Sequence, residues 1–192
     1  MWDCEPSYSR INQREPFIEQ MRASAFPTSA SVVQLDGIWV TIQSQTDKIK
    51  QDKRKRKRKQ RSGKKIVILV ALGFWEDGRR EILDWQMAPS EEHTHWEVLL
   101  NRLWAREVQP EKGLQMIVRD GSGGLGEAVA LVYGTSVLDQ RCIFHKLKNV
   151  ADKARRELKG EEKREERKQL IKQAKTLYQA ESALQAKHQL HL

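Results

Sequence analysis

Residues 117–129 read Ile-Val-Arg-Asp-Gly-Ser-Gly-Gly-Leu-Gly-Glu-Ala-Val, an apolar run that ends on one acid and passes into a loop that is almost all glycine. The run Leu114–Arg119 has the length and apolarity of a strand, and Leu125, Ala128, Val129 and Val132 recur at helical spacing after the glycines. The stretch is therefore a strand-to-helix turn with Asp120 at its corner. A strand that feeds a helix and then another strand returns parallel through a right-handed crossover, so part of the sheet is parallel.

Working outward, Val32–Ile42 is rich in β-branched and aromatic residues and reads as a first strand. Lys65–Leu72 is a continuous apolar run, the pattern of a strand buried on both faces. Glu76-Asp77-Gly78 is a turn, and Arg80–Met87 is a third strand that forms a hairpin with the second. Trp96, Leu99, Leu100, Leu103 and Trp104 mark an amphipathic helix of about 13 residues. Ser136–Leu138 with Cys142–Phe144 gives a fifth strand. From His145 the chain is helical and highly charged, with Leu147, Val150, Ala154 and Leu158 on one stripe.

The order β-β-β-α-β-α-β-α begins antiparallel and continues parallel. It predicts an α/β fold: a mixed five-stranded sheet with flanking helices in the ribonuclease-H-like layout, followed by a charged helical C-terminal extension. Residues 1–30, with Pro6, Pro16 and Pro27, hold no sustained period and read as an irregular leader or the remnant of an upstream domain. Residues 31–150 form the core, with a basic loop at 48–65, and 151–192 form the charged helical segment. In that layout the first and fourth strands lie side by side, which brings Asp36 and Asp120 to one place.

Paired carboxylates repel unless a cation lies between them. A hard divalent ion, Mg²⁺ or Mn²⁺, resolves this, because it takes a few carboxylate oxygens, keeps waters and accepts phosphate oxygens. Asp36 and Asp120 are thus candidate metal ligands and catalytic residues, and the glycines beside Asp120 would let a nucleic-acid backbone approach. Two other readings use the same residues. Asp120 alone is a common helix cap. Gly121-Ser122-Gly123-Gly124-Leu125-Gly126 also satisfies G-x-G-x-x-G between a strand and a helix, the dinucleotide-binding context, with Asp139 as the residue for a ribose.

Charge points to a polyanion. The chain carries a net +9, and the run Lys53, Arg54, Lys55, Arg56, Lys57, Arg58 and Lys59 supplies +7 of it, leaving +2 for the rest. Seven adjacent cations repel and bury nothing, so this segment is expected to be disordered or extended, and to bind phosphates through counterion release. A solvated surface loop and a nuclear-localisation-like tract are the other readings of such a run. No stretch has the apolar length to cross a bilayer, and no signal peptide opens the sequence. Cys4 and Cys142 make no disulfide framework, which fits a reducing compartment. Cys142 and His145, spaced C-x-x-H, are half of a zinc site with no second pair placed to finish it.

From about Leu35 to Asn149 the chain resembles the catalytic core of the Mutator-type insertion-sequence transposases. The resemblance rests on Leu35-Asp36-Gly37, on Ala71-Leu72-Gly73 with Asp77–Leu83, and on Trp96 with Leu99-Leu100. It rests further on Asp120-Gly121 with Gly124-Leu125 and Ala128, and above all on Gln140-Arg141-Cys142-Ile143-Phe144-His145 followed by Lys148-Asn149. It implies that Asp36 and Asp120 are the first two acids of a DDE triad that binds Mg²⁺ or Mn²⁺. It implies hydrolysis at the transposon end to free a 3′-hydroxyl, attack of that hydroxyl on target DNA, and Cys142 and His145 beside the site. It also implies a bacterial cytoplasmic, nucleoid-associated protein, homo-oligomeric at full length, with DNA as partner and no membrane. The third acid is not assigned, because the family's glutamate motif is not found after Asp120, and the core is expected to be truncated at both ends. A nonenzymatic nucleic-acid-binding protein that uses the basic loop is the alternative.

Overall fold

A computed structural model describes residues 30–51 and 57–190. The expected leader lies outside the described residues except for Ala30, as do Cys4 and Lys53–Arg56. The elements in chain order are β1 (Val32–Gln51), β2 (Lys57–Phe74), β3 (Arg80–Ala88), α1 (His93–Ala105), β4 (Met116–Arg119), α2 (Gly123–Tyr133), β5 (Leu138–Arg141), α3 (Ile143–Glu157), α4 (Arg164–Tyr178) and α5 (Ala183–Leu190). A single 3-10 turn at Pro110–Lys112 precedes β4.

The five strands form one sheet in the order β3-β2-β1-β4-β5. β1 pairs antiparallel with β2, and β2 with β3. The amides of Gln115 and Met116 both donate to the carbonyl of Ser31, at 2.8 and 3.2 Å, so β1 and β4 start at the same end and run parallel. Leu138 N–H donates to the Gln115 carbonyl and Cys142 N–H to that of Arg119. Both partners advance by four residues, which makes β4 and β5 parallel as well. The sheet is mixed, and the first strand lies beside the fourth as the element order predicts.

The chain divides into two compact units. One runs through Val118 and includes Ser122–Asp139; the other comprises Arg119–Gly121 and the chain from Gln140. In the first, Val33 and Leu35 of β1 and Val67, Leu69 and Ala71 of β2 point to one face. They are buried there with Trp96, Leu99, Leu100 and Leu103 of α1 and Leu125, Ala128 and Val129 of α2. That alternation is the period-2 geometry of strands meeting the helical stripe. Ile68, Val70 and Leu72, on the other face, are only partly buried, so the apolar run of β2 is not covered equally on both faces.

Further contacts fix the helices of this unit. Trp104 and Tyr133 meet edge-on with ring centroids 5.4 Å apart, and the Tyr133 hydroxyl donates to the Val108 carbonyl at 3.1 Å, where burial pushes its pKa up. Arg106 donates to the Leu83 carbonyl at 2.6 Å. Arg102 donates through Nε to Asp84 at 2.8 Å and through Nη1 to Gln86 at 2.8 Å, tying α1 to β3.

In the second unit α3, α4 and α5 follow the charged stripe that the sequence predicts. Their exposed i,i+3 pairs, Arg155–Asp152, Lys163–Glu166, Arg164–Glu161 and Lys168–Glu165, support the helices by about 0.2–0.5 kcal/mol each. No described helix is long and apolar enough to cross a membrane.

Two expectations are corrected. The basic loop at 48–65 is, in its described part, a continuation of the sheet: Gln51 pairs with Lys57, Lys50 with Arg58 and Ile49 with Lys59. Extension spreads like charges along a ribbon, so their repulsion does not oppose the ladder as it would a compact loop. The fifth strand is Leu138–Arg141, and Cys142-Ile143-Phe144 opens α3. The β propensity of Ile143 and Phe144 gives way because neither is buried in the sheet, Phe144 being 70% exposed.

Asp84 is the one buried carboxylate among the described residues, 4% exposed, and Arg102 Nε lies 2.8 Å from its Oδ2. Arg102→Ala is expected to destabilise the chain by about 3 kcal/mol, as removal of one partner of a buried ion pair does. Arg102→Leu, which restores packing and not charge, would remain nearly as destabilised. Urea unfolding of both variants checks this.

Candidate functional site

Asp36 lies on β1 opposite Val70 of β2, partly buried, and its Oδ1 accepts the Gly37 N–H at 2.9 Å. Gly37 has a packing reason to be glycine. A Cβ there would come within 2.7 Å of Glu91 Oε1 and 3.2 Å of Val67. The Glu91 carboxylate occupies that space and accepts the indole N–H of Trp39 at 2.5 Å. The segment leading into α1 is thereby clamped to β1 one residue from Asp36. Sequence spacing does not single out Glu91; the only signal is the glycine beside the acid.

Asp120 follows β4 directly and is partly buried, its own carbonyl accepting from Arg119 Nη1 at 3.2 Å. In the same unit the Arg141 guanidinium lies over Gly121, in the space a side chain would need. Cys142 N–H donates to the Arg119 carbonyl at 2.6 Å, which closes the β4–β5 ladder where α3 begins. Cys142 stands at the N-cap of α3 as a partly buried free thiol, and His145 sits in its first turn with Phe144 edge-on to it at 5.6 Å. The structure thus brings Arg119, Asp120, Arg141, Cys142 and His145 to two neighbouring strand ends.

Among the described residues no group of three or more His, Cys, Asp or Glu is arranged to hold a metal. Cys142 and His145 stand at the N-cap and in the first turn of one helix.

The glycines after Asp120 serve different ends. Gly123 opens α2 and faces open space, whereas a Cβ on Gly124 would meet the Glu91 carbonyl at 2.8 Å and the His93 amide nitrogen at 2.9 Å. Gly124 therefore lets the start of α2 rest on the backbone that leads into α1. The expectation that these glycines keep a bare surface beside Asp120 is corrected at Gly121 and Gly124, which atoms of this chain cover, and agrees with the open surroundings of Gly123. Of the three glycines that the G-x-G-x-x-G pattern requires, 121, 123 and 126, these contacts account for Gly121; Gly124 stands at one of its variable positions. Asp139 is exposed on β5.

Of the basic run, Lys57, Arg58 and Lys59 stand on β2, Lys57 exposed, and Lys53–Arg56 lie outside the described residues.

A family model described as transposase, Mutator family, matches residues 45–191. Asp120, Cys142 and His145 fall inside that span and Asp36 precedes it. The transposase for insertion sequence element IS905 of Lactococcus lactis is 31% identical over 118 residues, which cover 62% of this chain and 27% of the relative. The transposase for ISRM5 of Rhizobium meliloti is 38% identical over 85 residues, covering 44% and 20%. The transposase for IS406 of Burkholderia multivorans is 31% identical over 123 residues, covering 64% and 29%. The chain thus spans about a quarter of the length of the curated relatives it matches.

The two helical glycines make a paired test. Gly124→Ala is expected to destabilise by about 1–3 kcal/mol, because the Glu91–His93 backbone leaves a methyl no room. Gly123→Ala, in open space, is expected to be neutral or to stabilise by up to about 1 kcal/mol. Equal urea midpoints for the two variants would contradict the packing at Gly124.

Proposed function

Since the chain belongs to the Mutator family of transposases, we propose that it is the central part of a DDE-type transposase, a metal-dependent enzyme that cleaves DNA at the ends of an insertion element and transfers the strand to a target. In this reading the sheet is ribonuclease-H-like, residues 31–150 are the catalytic core, 1–30 an irregular leader or the remnant of an upstream domain, and 151–192 the start of the family's helical insertion. The partners are transposon ends and target DNA, and full-length copies assemble with one another in a bacterial cytoplasm, at the nucleoid.

The observation that supports Asp36 and Asp120 as its first two acids is the pairing at the start of β1 and β4. The Ser31 carbonyl accepts the amide of Gln115. Asp36 is five residues beyond Ser31 along a parallel strand, and Asp120 is five beyond Gln115. Two carboxylates are an all-oxygen donor set, which suits Mg²⁺ or Mn²⁺ and not a softer ion. When bound, such an ion supplies activation of the attacking oxygen and stabilisation of the leaving one. The chain's own part is to hold the ligands. Gly37 N–H fixes the Asp36 carboxylate, and the Arg119 side chain braces the backbone at Asp120. Cys142 and His145 act as positioning residues at the ends of β4 and β5. The third acid stays unassigned.

The ribbon of basic residues supports nucleic-acid binding whether or not the aspartates hold metal, and a nonenzymatic DNA-binding role is the second reading. Calorimetric titration with Mn²⁺ separates the two. Saturable binding is expected, lost in Asp36→Ala and in Asp120→Ala while both variants keep the parent's circular dichroism. Binding that neither substitution alters would overturn the metal assignment and leave the second reading.

A further inference from the structure

The β1–β2 ladder outlasts the rest of the sheet. β3 leaves β2 at the pair Val67–Ala88, and β4 is only four residues long, so from Val40 and Ile66 outward the two strands have only each other. They continue paired to Gln51 and Lys57. Eleven residues from Thr41 to Gln51 at strand rise make a two-stranded ribbon of about 35 Å. The described strands beyond this point, residues 40–51 and 57–66, contain eight lysines and arginines and one aspartate, a net +7 against +9 for the whole chain. Most of the protein's excess positive charge is therefore matched by the described part of this one projection.

The root of the ribbon is held in place. Trp39, half exposed, donates its indole N–H to Glu91, whose carboxylate is seated over Gly37. The ladder itself is bent once, where Thr46, Asp47 and Lys48 of β1 stand opposite the single Gln60 of β2 between the pairs Gln45–Arg61 and Ile49–Lys59. A bulge of this kind sharpens twist and bends the bulged strand. At the described distal end Ile49, Gln51 and Lys57 are exposed.

We infer that this ribbon is a duplex-DNA arm that docks in the major groove, with its cations on the phosphates of both groove walls. The charge is complementary to a polyphosphate, and the shape selects which one. A major groove of B-form DNA about 12 Å wide admits a two-stranded ribbon, whereas the deep, narrow major groove of A-form RNA excludes it. The contacts are to phosphate, so they carry affinity and orientation and not sequence. The bulge gives the rod the curvature to follow a groove, and the Glu91–Trp39 clamp transmits its orientation to the core. The inference rests on the reading above only in taking DNA as the partner and not on the metal site, so the test is run in EDTA, which keeps its outcome separate from that of the Mn²⁺ titration.

Fluorescence anisotropy with a 20-base-pair DNA duplex, the RNA duplex of the same sequence and polyglutamate as competitor tests it. The DNA duplex is expected to bind at least about tenfold more tightly than the RNA duplex, polyglutamate to compete poorly, and guanine N7 to be protected from methylation. Lys57→Gln, Arg58→Gln and Lys59→Gln together should lower the slope of log affinity against log salt by about 2–3. Ser62→Pro with Gly63→Pro keeps every charge and breaks the ladder, since one of two adjacent positions must donate into it. That pair should weaken DNA binding about tenfold or more with an unchanged urea midpoint, because the ribbon is outside the core. Equal binding of RNA and DNA, unprotected N7, strong competition by polyglutamate, or undiminished affinity in the double-proline variant would each overturn groove docking in favour of a flexible cationic tether.

Discussion

One carbonyl organises the sheet. Ser31 accepts amides from both Gln115 and Met116, and that junction joins the antiparallel half of the chain to the parallel half. Before it, β1, β2 and β3 are a local meander that short connections can form. After it, β4 must be brought back across the meander and laid beside β1. The closure entropy of so long an excursion is recovered by burying α1 and α2 on the face lined by Leu35, Leu69 and Ala71. The centre of the sheet is therefore its first strand, and a group on β1 has neighbours on both edges.

The buried Asp84–Arg102 pair and the glycine contacts at 37 and 124 have a shared role. Each fixes the α1 segment against a different partner: β3 through Arg102, β1 through Glu91, and the start of α2 through the bare Gly124. A helix locked at three places cannot slide by a turn along its own hydrophobic stripe. The apolar residues alone would not prevent this, since Trp96, Leu99, Leu100 and Leu103 repeat with the period of the helix itself.

Much of this was legible in the residues, and the reasons are specific. The α1 stripe, the two hairpin strands and the corner at Asp120 all follow from periodicity or from turn residues, which are local signals. The first and fourth strands are neighbours in the sheet, as the element order implied. What escaped reading depends on partners remote in sequence. Glu91 matters because Gly37 and Trp39 are beneath it, and Arg141 because Gly121 leaves room for it; neither shows a pattern of its own. Cys142–Phe144 reads as strand and folds as the start of α3 because residues of high β propensity look alike whether they end a strand or start a helix. The basic run reads as a loop because charge repulsion argues against a compact structure, yet it says nothing against a ladder. Of the candidate residues, Asp120, Cys142 and His145 stand at the ends of β4 and β5, and Asp36 stands on β1.

The offset within the ribbon has a consequence for how such a projection changes length. Between the pairs Gln45–Arg61 and Ile49–Lys59, one strand advances four residues and the other two. Because the difference is even, the inside-outside alternation of each strand is the same before and after the bulge. An insertion of odd parity would turn every residue beyond it to the opposite side, while one of even parity only adds length or curvature. The hairpin can thus be lengthened or shortened in pairs at its far end without the core registering the change, so reach is a property that evolution can tune independently of the fold that carries it.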